Sequence, residues 1–170
     1  MTRNRILLDR AIDEAEGYID LGMREHALHA LQRRGALVHG NGRACFLLGE
    51  ALRELERYEE ALLPLERGAD LIPDDVHLLL ALGWCYKRTG QLAKAIDVLE
   101  RAVKVDPSEA VLHYNLACYW SLARNRTQAL RQLSQAFEID ANFRDMVSSE
   151  EDFEPLRQDA EFIAMTSMIV

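Results

Sequence analysis

Two groups of side chains have the types that could support chemistry. His26 and His29 lie three residues apart, a spacing that can place two imidazoles on one face of a helix, as a metal site requires. A third ligand is missing, because Glu25 adjoins His26 in the chain but points elsewhere on the helix. We therefore interpret the two histidines as solvated and expect no metal ion.

Cys118 is the second group, a thiol that could act as a nucleophile with Lys87 one repeat away. A reactive thiol needs a close cation or a helix N-terminus, whereas Cys118 is predicted to lie in the middle of a helix. The chain also lacks the glycine-rich phosphate-binding, G-x-S-x-G and H-E-x-x-H motifs. The sequence thus predicts a protein that is not an enzyme and needs no cofactor, with an enzyme as the third alternative.

The amino-acid composition indicates which kind of secondary structure would position a functional site. The chain has 170 residues, of which 49% are hydrophobic, and only 4 prolines and 9 glycines interrupt a composition rich in Ala, Leu, Glu and Arg. This mixture is typical of packed helices and predicts an all-α fold. The net charge of -8 would repel a phosphate backbone on average, so we expect no nucleic acid partner.

Location can also be inferred from the chain. Its 3 cysteines form no C-x-x-C pair and suit a reducing compartment. Charged residues bracket the short apolar run Ile6-Leu7-Leu8, so neither a signal peptide nor a membrane span is expected. We expect a cytoplasmic protein that does not associate with a membrane.

A repeat of 34 residues organises the chain, as four series of residues show: Leu48-Gly49, Leu82-Gly83 and Leu116-Ala117; Ala61, Ala95 and Ala129; Leu65, Leu99 and Leu133; Pro73 and Pro107. The small residues are expected where two helices cross closely. Gly22 and Gly90 are predicted to form left-handed turns. Asp74 or Asp75, and Ser108, are predicted to cap the helices that follow. Ala15, Ala27 and Leu31 extend the series into a more degenerate first repeat.

The pattern Leu79...Leu82-Gly83...Tyr86...Gly90...Leu92...Ala95...Leu99...Ala102...Pro107 resembles the tetratricopeptide repeat family. Glu56 and Arg124 depart from the resemblance, because they stand where a turn glycine is usual. The resemblance implies a right-handed superhelical solenoid of about four helix-turn-helix repeats, residues 8–41, 42–75, 76–109 and 110–143. Residues 144–170 would form a connector and a C-terminal capping helix.

The repeat predicts helices at about 5–21, 24–36, 42–55, 58–71, 76–89, 92–105, 110–123 and 126–139. Pro155 is expected to begin a last helix, with Leu156, Phe162, Ile163 and Met165 facing the final repeat. We interpret this segment as a solubilising cap, and a binding element is the alternative.

The family resemblance implies that the first helix of each repeat lines a concave groove. The residues predicted to form the peptide-binding groove are Arg43, Phe46, Glu50, Arg53, His77, Leu80, Trp84, Lys87, Arg88, Tyr114, Asn115 and Cys118. Phe46, Leu80, Trp84 and Tyr114 could form an apolar strip beside the basic Lys87 and Arg88. The alternative is that Trp84 and Tyr114 only pack between neighbouring helices.

These features favour a non-catalytic scaffold or adaptor, co-chaperone-like, that binds an apolar segment of acidic character from another protein. Some family members hold the C-terminal carboxylate of a chaperone in a clamp of basic and asparagine side chains. Apart from Asn115, no residue of that kind stands at the matching positions, so we expect no clamp. The alternative function is a structural subunit, or a homo-oligomer, that uses the C-terminal helix and the apolar Met168-Ile169-Val170.

Overall fold

A computed structural model describes residues 3–167, and these residues form consecutive helix-turn-helix pairs. The helices are α1 Arg3–Asp20, α2 Arg24–Gln32, α3 Gly42–Glu54, α4 Tyr58–Leu71, α5 Val76–Arg88, α6 Leu92–Val105, α7 Ala110–Leu122, α8 Arg126–Ile139, α9 Phe143–Val147 and α10 Ala160–Ser167, with 3₁₀-helices at Gly35–Gly40 and Glu151–Leu156. No strand occurs in this part of the chain, which confirms the predicted all-α fold. None of its helices has both the length and the apolar character needed to cross a membrane.

The chain divides into two compact units. Unit 1 ends at Gln91 and contains α1 to α5, and unit 2 begins at Leu92 and contains α6 to α10. The boundary therefore lies between the two helices of the third predicted repeat. The division of the sequence into an array up to residue 143 and a C-terminal segment stays a prediction.

The turn inside each helix pair uses the same backbone conformation. Gly22 and Gly90 have φ angles of 70° and 76°, and Glu56 and Arg124 both have a φ of 59°. The four residues are spaced by the repeat length, so the left-handed turn persists even where glycine is replaced. The predicted turn glycines are confirmed, and the two departures from the family pattern change the residue but not the turn.

Close helix crossings explain the small residues of the repeat. A Cβ atom on Gly49 would overlap the side chain of Leu65, which is fully buried on α4. A Cβ on Gly68 would lie 2.6 Å from a Leu78 methyl and 3.3 Å from the Cβ of Cys45. The alanines of the second helices, Ala27, Ala61, Ala95 and Ala129, are fully buried. Small residues thus let the helix axes approach, and leucines fill the space between them.

Side-chain caps begin several of the helices. Asp75 accepts a hydrogen bond from the backbone nitrogen of Leu78 at 2.9 Å, which confirms it as the cap of α5. Asn41 and Asn125 cap α3 and α8 in the same way. The prediction that Ser108 caps α7 is wrong: its backbone nitrogen and hydroxyl both donate to the Asp106 carboxylate, at 3.0 and 2.7 Å. Asp106 therefore stabilises the turn before α7.

The second helix of the first repeat is shorter than predicted. α2 ends at Gln32 instead of near residue 36, and the chain continues as the 3₁₀-helix Gly35–Gly40. Gly35 has a φ of 52°, which lies outside the right-handed helical region and ends the α-helix. The 3₁₀-helix brings Val38 into the core, where it is 1% exposed.

The C-terminal segment keeps the repeat register. A shift of 34 residues carries Ala110–Leu122 onto 144–156, the stretch occupied by α9 and the second 3₁₀-helix, and carries Arg126 onto Ala160, where α10 begins. Pro155 therefore lies inside the second 3₁₀-helix. The prediction that Pro155 starts the last helix is wrong. The segment occupies the register of a further, interrupted helix pair.

The apolar residues of this segment divide between the core and the surface. Phe153, Leu156 and Phe162 are buried, as expected of residues that face the final repeat. Ile163 is 47% exposed, so its predicted core position is wrong. Met168-Ile169-Val170 lie outside the described residues.

Candidate functional site

The predicted groove residues of unit 1 lie on α3 and α5. α3 packs against both α1 and α5, so the first helices of successive pairs lie side by side. α2 packs on α1, and α4 packs on α3, the first helix of its own pair. This arrangement gives unit 1 a surface made by first helices, which we call the first-helix face. The predicted groove residues on its helices α3 and α5 are Arg43, Phe46, Glu50, Arg53, His77, Leu80, Trp84 and Lys87.

Phe46 is a buried aromatic residue of α3, and a cation lies over its ring. The ring is 9% exposed, and the guanidinium carbon of Arg43 lies 5.4 Å from its centroid. The Nε of Arg43 donates a hydrogen bond of 2.7 Å to Glu16 on α1. The charge of Arg43 is therefore balanced by Glu16, and the ion pair links α1 to α3.

Glu50 and Arg53 form a second charged pair on α3. Arg53 donates through Nε and Nη2 to the two carboxylate oxygens of Glu50, at 2.8 and 2.5 Å. The hydrogen bonds to Glu50 raise the pKa of the Arg53 guanidinium. Glu54 accepts a hydrogen bond of 2.5 Å from Arg24. Glu50 balances the charge of Arg53, so Arg53 carries no unbalanced positive charge for a ligand.

Trp84 is the large aromatic residue of α5. Its side chain is half-buried, and the Lys87 ammonium lies 5.3 Å from the ring centroid. Leu80, one turn earlier, is also half-buried, and His77 is exposed. The Trp84 ring and the aliphatic Leu80 thus offer partly accessible apolar surface with a cation at its edge.

Arg88 behaves differently from Lys87. Its guanidinium carbon lies 4.9 Å from the centroid of the Tyr58 ring on α4. The structure therefore places Arg88 with the second helix α4, whereas Lys87 lies over Trp84. The expectation that both cations flank Trp84 is correct for Lys87 only.

Two of the three predicted groove residues of unit 2 are buried. Tyr114 and Cys118 are 3% and 2% exposed. The Tyr114 ring packs against Phe143 at a centroid distance of 5.0 Å and edge-on against Phe153 at 5.6 Å, and this burial raises the pKa of its phenol. Asn115 is half-buried and donates its amide to the Val111 carbonyl at 2.8 Å.

The expectation that Tyr114 and Cys118 face an open groove is therefore wrong. The cause is the C-terminal segment, which packs on α7. Phe143 and Phe153, the residues that cover Tyr114, were missed in the sequence. The signal that could have found Phe153 is the 34-residue register, because it aligns residues 144–156 with α7.

The three cysteines are buried, and the two histidines of the predicted pair are exposed. Cys45, Cys85 and Cys118 are buried, and burial raises the pKa of the Cys85 thiol to about 12. Burial also raises the pKa of Cys45, whose thiol donates to the Val38 carbonyl at 3.3 Å. His26 and His29 are exposed. Between residues 3 and 167, no three His, Cys, Asp or Glu side chains are grouped as a metal would require.

The chain resembles known proteins in sequence and in fold. Residues 52–117 match the tetratricopeptide repeat family. A search of curated proteins found no match. Among solved structures, a double mutant of MamA from strain RS-1 has 22% sequence identity and a TM-score of 0.75, with 84% of this chain and 79% of that chain covered.

Two further solved structures are similar. MamA residues 41 to the end, from Desulfovibrio magneticus RS-1, has 22% identity and a TM-score of 0.73 over 79% of this chain and 76% of that one. YrrB, described as a TPR protein with an unusual peptide-binding site, has 24% identity and a TM-score of 0.73 over 79% of this chain and 70% of its own. These likenesses show the fold of helical repeats.

Proposed function

We propose that this chain, a tetratricopeptide repeat protein, is a non-catalytic adaptor that binds a segment of another protein on the first-helix face of unit 1. The fold supports a role in protein interaction. The narrower proposal names the face and the kind of segment. The segment carries an apolar side chain that contacts Trp84 and Leu80, next to a carboxylate that pairs with Lys87.

The observation that carries this proposal is the contact between Trp84 and Lys87. A half-buried tryptophan on a helix surface offers a large apolar area, and tryptophan is enriched among the residues that dominate binding energy. The cation over its ring adds attraction for a carboxylate. The charges on α3 are already paired, as Arg43 is with Glu16 and Arg53 with Glu50. Lys87, whose ammonium lies 5.3 Å from the Trp84 ring centroid, is the basic group that would adjoin the carboxylate of the segment.

The proposed site is smaller than the one predicted from the sequence. Tyr114 and Cys118 are removed from it because both are buried, and Phe153 packs edge-on against Tyr114. Arg88 is removed because it stacks on Tyr58. YrrB is described as having a peptide-binding site, which supports a peptide ligand for a protein of this fold. A co-chaperone role and a cytoplasmic location are part of the proposal.

Affinity capture from a native lysate, with wild-type protein and Trp84→Ala protein as baits, tests the proposal. We expect a partner that wild-type protein retains and Trp84→Ala protein loses, with a cost of about 2 kcal/mol in titration calorimetry. Lys87→Ala should cost less than about 1 kcal/mol and should mainly reduce the salt dependence of binding.

Tyr58→Ala is the matched control, because Tyr58 also carries a cation over its ring but lies on the second helix α4. It should retain the partner. Equal retention by wild-type and Trp84→Ala proteins, with the helical circular dichroism of both unchanged, would remove the site from this face.

Self-association through the C-terminal segment is the second candidate function. Met146 on α9 and Ile163 on α10 are 51% and 47% exposed, and apolar side chains at the end of a helical stack can pair with a second copy. Sedimentation of wild-type and Ile163→Ser proteins over a range of concentrations tests it. A wild-type dimer that Ile163→Ser dissociates would support this candidate, and a monomer at every concentration would exclude it.

A further inference from the structure

Leu63 on α4 breaks the pattern of the second helices. Its side chain is 68% exposed. The residues 34 positions before and after it are His29 and Asp97, and the next in the series is Arg131. The other repeats therefore carry polar or charged side chains where this repeat carries an exposed leucine.

A pocket lies beside Leu63 in unit 1. It has a volume of about 270 Å³, and its lining is largely apolar: Leu31, Val38, Leu48, Leu52, Leu63 and Pro64, with Gln32, Gly35, His39 and Glu60 as the remaining residues. One wall is the 3₁₀-helix Gly35–Gly40, which exists because α2 ends early at Gln32. The volume fits one large aliphatic or aromatic side chain. We call it the α2–α4 pocket.

The charges around the α2–α4 pocket favour an anion. The Nε of Arg67 donates a hydrogen bond of 3.2 Å to the carbonyl of His39, which holds the exposed guanidinium at that end of the pocket. Glu60, the acidic residue of the lining, accepts two hydrogen bonds from Arg57, at 2.8 and 2.7 Å, so its charge is balanced.

Arg67 is the positive charge on which this preference rests. Its side chain is exposed, and Coulomb attraction favours a carboxylate beside the apolar occupant.

We propose that the α2–α4 pocket is a second docking site, which binds a large apolar side chain of another protein next to an aspartate or glutamate. Leu63 forms the exposed apolar edge of the site, and Arg67 pairs with the carboxylate. Trp84 is not among the lining residues, so this site is separate from the first-helix face. A protein with both sites can bind two segments of one partner, or two partners. One segment would lie on the first helices of unit 1, and the other on its second helices.

Selection of random phage-displayed peptides on Trp84→Ala protein tests this site without the first-helix anchor. We expect enriched peptides with a leucine, isoleucine, methionine or phenylalanine next to an acidic residue. A synthetic peptide of that sequence should bind Leu63→Asp protein at least about tenfold more weakly. Leu63→Asp restores the residue type found at Asp97, and the exposure of Leu63 means that the fold should be unaffected.

Leu71→Asp is the control, because Leu71 is a 38% exposed leucine on the same helix that does not line the pocket. It should bind the peptide like the parent protein. Arg67→Gln should weaken binding of the acidic peptide. It should not change the binding of a matched peptide in which glutamine replaces the acidic residue.

Three outcomes would overturn the proposal: no enriched sequence, an enriched sequence that is basic, or equal binding to Leu63→Asp protein. A negative result in this peptide selection would not affect the lysate capture that tests the Trp84 site. The two proposals can therefore be refuted independently.

Discussion

Arg126, the first residue of α8, donates hydrogen bonds of 2.5 and 3.1 Å to the carboxylate of Asp159, the residue that precedes α10. Asp159 also accepts hydrogen bonds of 3.0 Å from the backbone nitrogens of Glu161 and Phe162. It therefore both caps α10 and fastens it to α8. Asn125 occupies the same position before α8, one repeat length earlier.

This contact predicts that α10 loosens in acid. The hydrogen bonds from Arg126 and from the Phe162 nitrogen hold the pKa of Asp159 at about 2, below its ordinary value of 3.8. Because the folded pKa is depressed, the stabilisation is present above the ordinary value and is lost as pH falls through about 2. Amide exchange of α10 should accelerate in that range, and Asp159→Asn should reproduce the effect at neutral pH. Asp97→Asn, an exposed change on α6, should leave α10 exchange unchanged.

Two helical glycines should respond to alanine in opposite directions. Gly49→Ala places a Cβ against the buried Leu65 side chain and should destabilise the protein by about 1–3 kcal/mol. Gly17→Ala adds a Cβ with nothing within 4 Å on an exposed part of α1 and should stabilise it by about 0.5–1 kcal/mol. Urea unfolding of both variants measures the difference. A stabilising effect of Gly49→Ala would show that α3 and α4 do not cross closely at Gly49.

The left-handed turns provide a second stability test. Glu56 has a φ of 59°, a conformation that is unfavourable for a residue with a Cβ, so Glu56→Gly should stabilise by about 0.5–1 kcal/mol. Gly90→Ala places a Cβ in the corresponding turn at a φ of 76° and should destabilise by about 1 kcal/mol. Thermal unfolding compares the two. A loss of stability in Glu56→Gly would mean that the glutamate side chain contributes more than the strain of its backbone.

Most of the fold was predictable because the repeat imposes one constraint many times. Each series of small residues and leucines marks the same helix crossing, and the contact of Gly49 with Leu65 shows that crossing directly. The turns at Glu56 and Arg124 were located by register alone, although their residue types gave no local signal. The early end of α2 at Gln32 was not predicted, because a positive φ at Gly35 is a tertiary outcome that the repeat does not specify.

The candidate site was less predictable because exposure depends on the neighbouring element. Tyr114 has the same place in its helix as Phe46 and Leu80, yet Phe143 and Phe153 of α9 and the second 3₁₀-helix pack on its ring and bury it. Sequence patterns identify which face of α7 carries Tyr114 but not which segment covers that face. Arg88 likewise adjoins Lys87 in the chain, but stacking on Tyr58 separates the two cations.

The packing of the second 3₁₀-helix on α7, the helix that carries the buried Cys118, gives a final prediction. Phe153 is fully buried and packs edge-on against Tyr114, one helical turn from Cys118 on α7. Phe153→Ala should destabilise the protein by about 3–5 kcal/mol and should open α7 to solvent. Labelling by a thiol reagent, followed by mass spectrometry of each cysteine, should then show faster modification of Cys118, with Cys45 and Cys85 of unit 1 still protected.

Met146→Ala is the control for this experiment, because Met146 belongs to the same segment but is 51% exposed. It should leave all three labelling rates near those of the wild-type protein. If Cys118 of the wild-type protein reacts as fast as it does in Phe153→Ala, the C-terminal segment does not cover α7 in solution. Tyr114 and Cys118 would then return to the surface available for binding a partner.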